Sequence, residues 1–393
     1  MYLFLAILLI FILINFLSAV YLNYYYLDQS NKNIFKLSIL KKLFPNISAD
    51  GIAEIQKIFN AKKTKYGRFR LTYAPLVEHR DSDFESYYLN VTNGFRSTNN
   101  LPPNNKQEIH AVFGGSTTFG TGVPDWMTIP SYIEDTIKLK DKNTSVINAA
   151  SQSYFSTLEV ISFQKMLNEN RKFRSVIFID GLNDVHQNIP KIRNETRYSH
   201  FIRKFWPEID YIYNYDDDYR YLSHLTFLGK KFFIRIPITR FINLQVKRIK
   251  IKITSEKGER YKELWEEDIN FKSIDFVSLA KQISDLTQTN WNIIRGICSY
   301  YKIKSYFVLQ PVYYLDFPIE KHSFLPVNED PFYKKIYNEY YNNMRAKNLN
   351  NHDFIDASSV FKEVNFCPFI DSHHYSPEGN KIIADFITKK MIT

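Results

Sequence analysis

Cysteine is scarce in this chain of 393 residues, and its scarcity excludes several kinds of protein. The two cysteines, Cys298 and Cys367, cannot build a disulfide framework, and they could fill a four-ligand zinc site only with help from histidine or carboxylate groups. Glycine is limited to 12 residues, and no fixed-period repeat or low-complexity tract is present. The chain is therefore neither collagenous nor a repeat protein.

Two stretches of the chain are unusual in their charge. Residues 1–22 contain no charged side chain, and residues 219–252 contain no acidic one. The nine basic residues of 219–252 account for all but one of the net charge of +10. The overall composition, 45% hydrophobic and 23% charged, is that of a globular protein with roughly one to three domains.

The uncharged N-terminal stretch is long enough to cross a membrane. A helix needs about 20 apolar residues to span the hydrocarbon core of a bilayer. Four tyrosines, Tyr21, Tyr24, Tyr25 and Tyr26, lie at the end of this stretch, and their amphipathic rings favour the interface. A cleaved signal peptide is the alternative, but a basic segment before the apolar run is missing and the run is longer than such peptides carry. We therefore predict one transmembrane helix within residues 1–27.

Beyond residue 108, short apolar runs alternate with helical patterns. The predicted strands are 109–113, 145–147, 175–179, 305–309 and 354–355. The predicted helices are 129–139, 157–167, 274–300, 333–347 and 377–392, and one more helix, 49–61, lies upstream. This alternation indicates βαβ units and a parallel sheet covered on both faces, with ligands at the carboxyl ends of the strands.

Three regions follow from this pattern: an anchor (1–27), a stem and lead-in region (28–108) and an α/β domain (109–393). An excursion at about 185–271 interrupts the domain and contains the basic stretch 219–252. Basic and apolar residues interleave there, as in segments that rest on anionic lipid surfaces. A solvated helical cap is an equally good interpretation. A nucleic-acid partner is not expected, because no binding module is recognisable.

A serine follows the first predicted strand. The string Gly114-Gly115-Ser116 places it at a strand-to-helix turn, where a nucleophile would project if a base lay within hydrogen-bond reach. The string lacks the lysine of a P-loop, and Thr118 stands where the G-x-S-x-G motif has its second glycine. On its own, it is more typical of a phosphate-binding or plain turn.

Polar groups also follow the next two strands. Asn148, Ala149 and Ala150 end the second run, and Asn183 lies just after the third. A side-chain amide and backbone N–H groups at adjacent strand ends are the parts of an oxyanion hole. Taken singly, such residues more often end strands and cap helices.

The loop before the last helix contains an aspartate and two histidines. Asp371 and His374 are three residues apart, so one loop could supply a base and the carboxylate that orients it. His373 is the competing base. The combination with the turn serine is more informative than any part alone.

Taken together, four blocks resemble the SGNH (GDSL-type) hydrolase superfamily in its membrane-anchored bacterial form. The blocks are Gly114-Gly115-Ser116, Asn148-Ala149-Ala150, Gly181-Leu182-Asn183-Asp184 and Asp371-Ser372-His373-His374. Two upstream strings, Tyr73-Ala74-Pro75-Leu76-Val77-Glu78 and Asn93-Gly94-Phe95-Arg96, are similar to the lead-in of such members. The resemblance covers about 109–392 apart from the excursion. It implies a flavodoxin-like three-layer α/β/α fold with a parallel sheet.

The resemblance also implies roles for individual residues. Those roles are Ser116 as nucleophile, His374 as general base and Asp371 as the group that orients the imidazole. The oxyanion hole would use the N–H groups of Ser116 and Ala150 and the side chain of Asn183, with no metal or cofactor. Two positions depart from the pattern. Gly115 replaces the usual aspartate without touching these roles, whereas Ala150 replaces a glycine and is expected to narrow the site or alter φ.

The leading hypothesis is an ester hydrolase that works through an acyl-enzyme on O-acyl, chiefly O-acetyl, groups of glycans or other envelope esters. It rests on the anchor, on the resemblance and on 28 tyrosines and 32 phenylalanines, most of which we expect in the core. Transfer of the acyl group to a polysaccharide is one alternative, and a catalytically silent glycan-binding or scaffold subunit is another. An extracytoplasmic domain suits glycan esters, although Lys32, Lys36, Lys41 and Lys42 favour the cytoplasmic side.

Overall fold

The computed structural model describes residues 2–31, 37–59, 71–99, 109–142, 144–192, 236–256, 275–315, 317, 331–371 and 373–392. The chain divides into two compact units. One comprises Met1–Asn33 and Tyr198–Ile269, and the other comprises Ile34–Arg197 and Asn270–Thr393. The acidic cluster at 216–218 and the first half of the basic stretch, residues 219–235, lie outside the described residues.

The helices and strands occur where the alternation of apolar runs places them. The helices are α1 (Tyr2–Asn31), α2 (Leu37–Leu43), α3 (Ala49–Phe59), α4 (Ser116–Phe119), α5 (Ile129–Lys138), α6 (Ser156–Asn168), α7 (Leu182–Ile192), α8 (Pro237–Glu256), α9 (Phe276–Tyr301), α10 (Pro331–Asn348) and α11 (Pro377–Ile392). The strands are β1 (Leu71–Tyr73), β2 (His79–Asp81), β3 (Val91–Thr92), β4 (Phe95–Arg96), β5 (Ile109–Gly114), β6 (Ser145–Asn148), β7 (Phe173–Asp180), β8 (Lys304–Leu309) and β9 (Phe354–Asp356). The five predicted strands and the six helices predicted beyond the anchor are confirmed, with ends within two residues of the prediction, and α1 continues four residues past the predicted anchor.

The central sheet of the larger unit has the strand order β3-β4-β6-β5-β7-β8-β9. Strands β6, β5, β7, β8 and β9 run parallel, and β3 and β4 add an antiparallel edge. The parallel strands are thus ordered 2-1-3-4-5 by their position in the chain, the flavodoxin-like winding. Helices α5 and α11 cover one face, and α6, α7, α9 and α10 lie on the other. The predicted three-layer α/β/α fold is confirmed.

Strands β5 and β7 are buried on both faces, which is why they read as unbroken apolar runs. Alternate side chains of these strands point to opposite faces of the sheet. Val112, Ile177 and Val308 contribute to the core under α5 and α11. On the other face the rings of Phe113 and Phe178 stack with centroids 4.6 Å apart. Aromatic burial therefore fixes the centre of the sheet that carries the site.

The lead-in region lies in the same compact unit as the α/β domain. Arg96 of β4 pairs with Asn148 of β6, so the lead-in extends the central sheet. Helix α3 also packs its apolar face into a cluster that includes Phe119, just after the turn serine. Helix α7 continues through Asp184 to Ile192, so the first residues of the predicted excursion are helical.

The smaller unit pairs the N-terminal helix with α8. Within α1, Leu5–Leu22 has a mean hydropathy of 2.7 and is long and apolar enough to cross a membrane or to serve as a signal sequence. The N–H of Ile238 donates to Asn15 Oδ1 over 3.3 Å, and the rings of Tyr21 and Phe241 meet edge to face at 5.1 Å. Part of the basic excursion is therefore a helix that lies against the apolar one.

Candidate active site

The turn after β5 presents Ser116 at the first position of α4. Gly114 has a φ of 155°, and a Cβ there would overlap the side chain of Thr118 and lie 3.1 Å from the Ile179 carbonyl oxygen. Only glycine therefore fits this close approach of backbone to helix. The Ser116 side chain is half-buried at the carboxyl end of the sheet, where ligands of such folds bind.

A buried arginine holds the backbone that follows this turn. Arg96 donates to the carbonyl oxygens of Phe119 (2.8 Å), Gly120 (2.6 Å) and Val123 (2.6 Å), and its Nε donates to Asp125 Oδ1 over 2.7 Å. These bonds satisfy carbonyls at the end of α4 that have no helical partner. The last residue of the lead-in string thus fixes the short helix that begins with Ser116.

The loop before α11 brings a histidine and an aspartate to the serine. His374 Nε2 lies 2.9 Å from Ser116 Oγ, and His374 Nδ1 lies 2.7 Å from Asp371 Oδ2. The other oxygen, Asp371 Oδ1, accepts the backbone N–H groups of His373 (2.8 Å) and His374 (2.7 Å). His374, rather than His373, therefore faces the serine, in the nucleophile, base and orienting-group arrangement.

The electrostatics of this loop favour an ionised aspartate. Burial alone raises the pKa of Asp371, but the nearby His374, through charge and hydrogen bonding, and the charge of His373 outweigh burial and hold that pKa below its usual range. The side chains of His374 and Asp371 are 19% and 15% exposed, so the pair is largely shielded from water while Nε2 remains in contact with Ser116. An ionised Asp371 accepts the Nδ1 proton and leaves Nε2 as an acceptor.

Asn183, the second residue of α7, lies beside the serine turn. Its Nδ2 donates to the carbonyl oxygen of Tyr154 over 2.8 Å, which leaves the second N–H of the amide for another acceptor. A Cβ on Gly115 would overlap Asn183 Nδ2 and lie 3.0 Å from the Tyr154 oxygen. Glycine at position 115 therefore leaves room for the Asn183 amide, and any larger residue would have to displace it.

The structure does not place Ala150 as a free donor. Its N–H donates to Asn148 Oδ1 over 3.2 Å, and its side chain is buried in the cluster that contains Phe119 and Ile55. A donor occupied in this way does not fit the expected oxyanion role. Three residues later, Ser153 has a φ of 62°, a left-handed conformation uncommon for a residue with a side chain. Such strain concentrates at functional sites.

The turn that contains Ser153 is fastened by strand β2. Asp81 Oδ2 accepts the Ser151 hydroxyl (2.5 Å) and the Gln152 N–H (3.2 Å), and His79 Nε2 lies 2.7 Å from the Gln152 carbonyl oxygen. Burial raises the pKa of Asp81 to about 7, against the opposing hydrogen bonds from Ser151 and Gln152. A side chain of the lead-in region therefore controls the backbone next to the site.

Carboxyl groups of Glu159, Asp180 and Asp184 are buried behind the start of α7. Asp184 Oδ1 accepts the hydroxyls of Ser156 (2.6 Å) and Thr287 (3.0 Å), which ties α7 to α6 and α9. Burial raises the pKa of all three acids, and the charges of neighbouring carboxylates raise those of Glu159 and Asp180 further. In the described part of the chain, no group of three or more His, Cys, Asp or Glu side chains is arranged to hold a metal ion.

The structure thus brings Ser116, His374, Asp371 and Asn183 to one end of the sheet and leaves Ala150 in the core. Three residues around the site were not expected from the sequence: Arg96, Asp81 and Ser153. The Asn93-Gly94-Phe95-Arg96 string is the sequence signal that could have identified Arg96. Nothing local marked Ser153, because its φ becomes visible only in three dimensions.

Comparisons with known proteins give weak likenesses. No family model matches the chain, and no curated protein matches it. Among solved structures, an acetyl xylan esterase has 14% sequence identity and a TM-score of 0.38 over 71% of this chain and 97% of its own. A lipase from a goat rumen metagenome has 10% identity and a TM-score of 0.39 over 72% and 97%. A variant acetyl xylan esterase from Geobacillus stearothermophilus has 14% identity and a TM-score of 0.32 over 72% and 94%. Likenesses this low assign neither activity nor substrate.

Proposed function

We propose that this chain is a serine ester hydrolase of the SGNH type. The observation that carries the proposal is the continuous hydrogen-bonded chain from Ser116 Oγ through His374 to Asp371. Ser116 and His374 are 258 residues apart in the chain, so the fold brings together groups from opposite ends of the α/β domain. A silent scaffold would not need a base aligned on the hydroxyl of a half-buried serine.

The reaction follows from this arrangement in two halves. Ser116 Oγ attacks the ester carbonyl carbon while His374 Nε2 takes the hydroxyl proton, and the protonated imidazole then gives that proton to the departing alcohol oxygen. Water next attacks the acyl-enzyme, with His374 again accepting a proton, and the acid leaves as Ser116 recovers its hydrogen. Asp371 stabilises the imidazolium in both halves without itself becoming protonated.

Donors for the developing oxyanion come from three elements. They are the N–H of Ser116, the second N–H of the Asn183 amide and, in place of Ala150, the N–H of Ser153. Support for Ser153 is its left-handed φ and its place before Tyr154, whose carbonyl holds Asn183. One such donor lowers the barrier by about 3 to 4 kcal/mol.

The substrate we propose is an O-acyl ester of a glycan or another envelope component. Transfer of the acyl group to a sugar hydroxyl uses the same acyl-enzyme, so the two activities differ only in the second acceptor. Product analysis with a soluble ester and excess oligosaccharide separates them. Free acid as the sole product supports hydrolysis, and an acylated oligosaccharide supports transfer.

We also propose that α1 anchors the protein in a membrane and that α8 lies at the membrane surface. Support comes from the apolar, exposed Leu5–Leu22 segment and from the exposed side chains of Ile242, Val246 and Ile249 on the helix that packs against it. The catalytic unit is proposed to be extracytoplasmic. Protease added to intact cells that express the full chain should then cleave this unit, whereas cleavage only after permeabilisation would place it inside.

The direct test of the enzyme proposal is labelling with a fluorophosphonate, which reacts with activated serines. The full chain in detergent should be labelled, Ser116→Ala should not, and Ser359→Ala, which removes an exposed serine from a surface turn, should be labelled like the parent. Loss of label in Ser116→Ala alone supports the proposal. Equal labelling of all three proteins, or of none, contradicts it.

A further inference from the structure

A group of aromatic rings that the proposed reaction does not use lies beside the catalytic histidine. We call it the aromatic wall, and its members are the half-exposed His186, Tyr314 and His373 and the buried Tyr313, Tyr333 and Tyr337. Ring centroids are 4.7 Å apart for His186 and Tyr333, 5.7 Å for His186 and His373, and 5.9 Å for Tyr313 and His373. The rings therefore form one contiguous surface.

The wall adjoins the proposed oxyanion donor and the proposed base. His186 lies three residues after Asn183 in α7, so the two side chains share a face of that helix. His373 directly precedes His374, and Tyr314 follows β8 at the carboxyl end of the sheet. A molecule bound on the wall therefore has its reacting group within reach of Ser116.

Buried rings support the half-exposed Tyr314 ring of the wall. Tyr314 stacks on Tyr337 at 5.1 Å with 17° between the rings, and on Tyr333 at 6.0 Å with 29°. Tyr337 is fully buried, and its hydroxyl donates to the Leu182 carbonyl oxygen over 2.9 Å. A ring supported in this way loses little freedom on binding, which favours affinity.

The chemistry of the wall selects its ligand. Each half-exposed member is a ring with a polar edge, and none is aliphatic, whereas a pocket for an acyl chain is lined mainly by apolar side chains. A sugar ring matches this surface, because its C–H groups form an apolar face and its hydroxyls project at the rim, where the imidazole groups of His186 and His373 can bond to them.

We infer that the aromatic wall binds the sugar ring that carries the ester, so that the alcohol leaving in the first half of the reaction is a carbohydrate hydroxyl. The inference rests on the proposed function. It assigns Tyr314 as the stacking residue, with His186 and His373 as partners for the sugar hydroxyls. Acyl-chain binding is the competing use of the same surface.

The test compares two esters with the same acetyl group. One is a fully acetylated methyl hexopyranoside, and the other is ethyl acetate, which has neither sugar nor ring. Acetate release by the full chain gives kcat/KM for each ester in the parent, Tyr314→Phe, Tyr314→Ala and Tyr300→Ala, the last removing a tyrosine that is 81% exposed on α9. The ratio of sugar ester to ethyl acetate should fall at least tenfold in Tyr314→Ala, mainly through KM, and stay near the parent value in Tyr314→Phe and Tyr300→Ala.

Two results would overturn the inference. One is an unchanged ratio in Tyr314→Ala. The other is an altered preference between ethyl acetate and ethyl hexanoate with the sugar ratio unchanged, which would make the wall an acyl pocket. Failure of the proposed function is recognised separately, because the parent would then hydrolyse neither ester. In that case, saturation-transfer NMR can still test whether the wall binds the sugar ester. The ester should bind to Ser116→Ala but not to Ser116→Ala/Tyr314→Ala. Binding that persists in the double variant refutes the wall as a sugar site.

Discussion

Replacement of Asp371 by asparagine separates the two tasks of this side chain. Oδ1 accepts two backbone N–H groups, from His373 and His374, and asparagine can keep both bonds through its carbonyl oxygen. The amide nitrogen must then face His374 Nδ1, where Oδ2 now lies 2.7 Å away. An N–H donor at that position forces the imidazole to carry its proton on Nε2, which can no longer accept the proton of Ser116.

We therefore expect kcat to fall by about 10⁴ in Asp371→Asn, equivalent to roughly 5.5 kcal/mol in the barrier, with the fold intact. Asp371→Ala removes the two backbone acceptors as well, and each unsatisfied N–H costs about 1 to 3 kcal/mol if it stays buried. Turnover of p-nitrophenyl acetate and the thermal unfolding midpoint, measured on both variants, distinguish the two effects. Near-normal turnover in a folded Asp371→Asn protein would refute the assigned role.

Three further predictions concern the surroundings of the site and the opposite end of the sheet. Gly115→Ala, at a φ of −86° that suits any residue, should lower kcat about 100-fold by displacing Asn183 while leaving the unfolding midpoint unchanged; an unaltered kcat would contradict this. Because burial raises the pKa of Asp81 from 3.8 to about 7, folding favours its protonated form, so roughly 4 kcal/mol of stability present below pH 4 is lost as pH rises through 7. In denaturant titrations, the folding stability of Asp81→Asn should not show this fall with rising pH. Burial lowers the pKa of His110 from 6.5 to about 4, so a contribution of roughly 3 kcal/mol to folding stability, present above pH 6.5, is lost as pH falls through 4. The stability of His110→Gln should therefore depend less on acid pH than that of the parent. If the stability of parent and variant changed with pH in the same way, the role assigned to that residue, Asp81 or His110, would be excluded.

The sequence by itself determined the five parallel strands and most of the helices that cover them, because the burial of these elements shows in the local pattern of apolar residues. Strands β5 and β7 are buried on both faces and appear as continuous apolar runs, while helices such as α5 show the period of an amphipathic helix. It also placed Asp371 and two candidate histidines, His373 and His374, in one loop, and the structure showed that His374 is the partner of Asp371.

Tertiary structure alone decided how distant groups meet. Ser116 and His374 are 258 residues apart, and only the 2-1-3-4-5 winding brings both to the carboxyl end of the sheet. Packing also decides three local features. The Ala150 N–H donates to Asn148, a side chain at position 115 would overlap Asn183, and Arg96 is buried under the serine turn. Spacing along a chain specifies contacts within a helix, strand or loop, whereas contacts between elements depend on the order in which the sheet and its covering helices assemble.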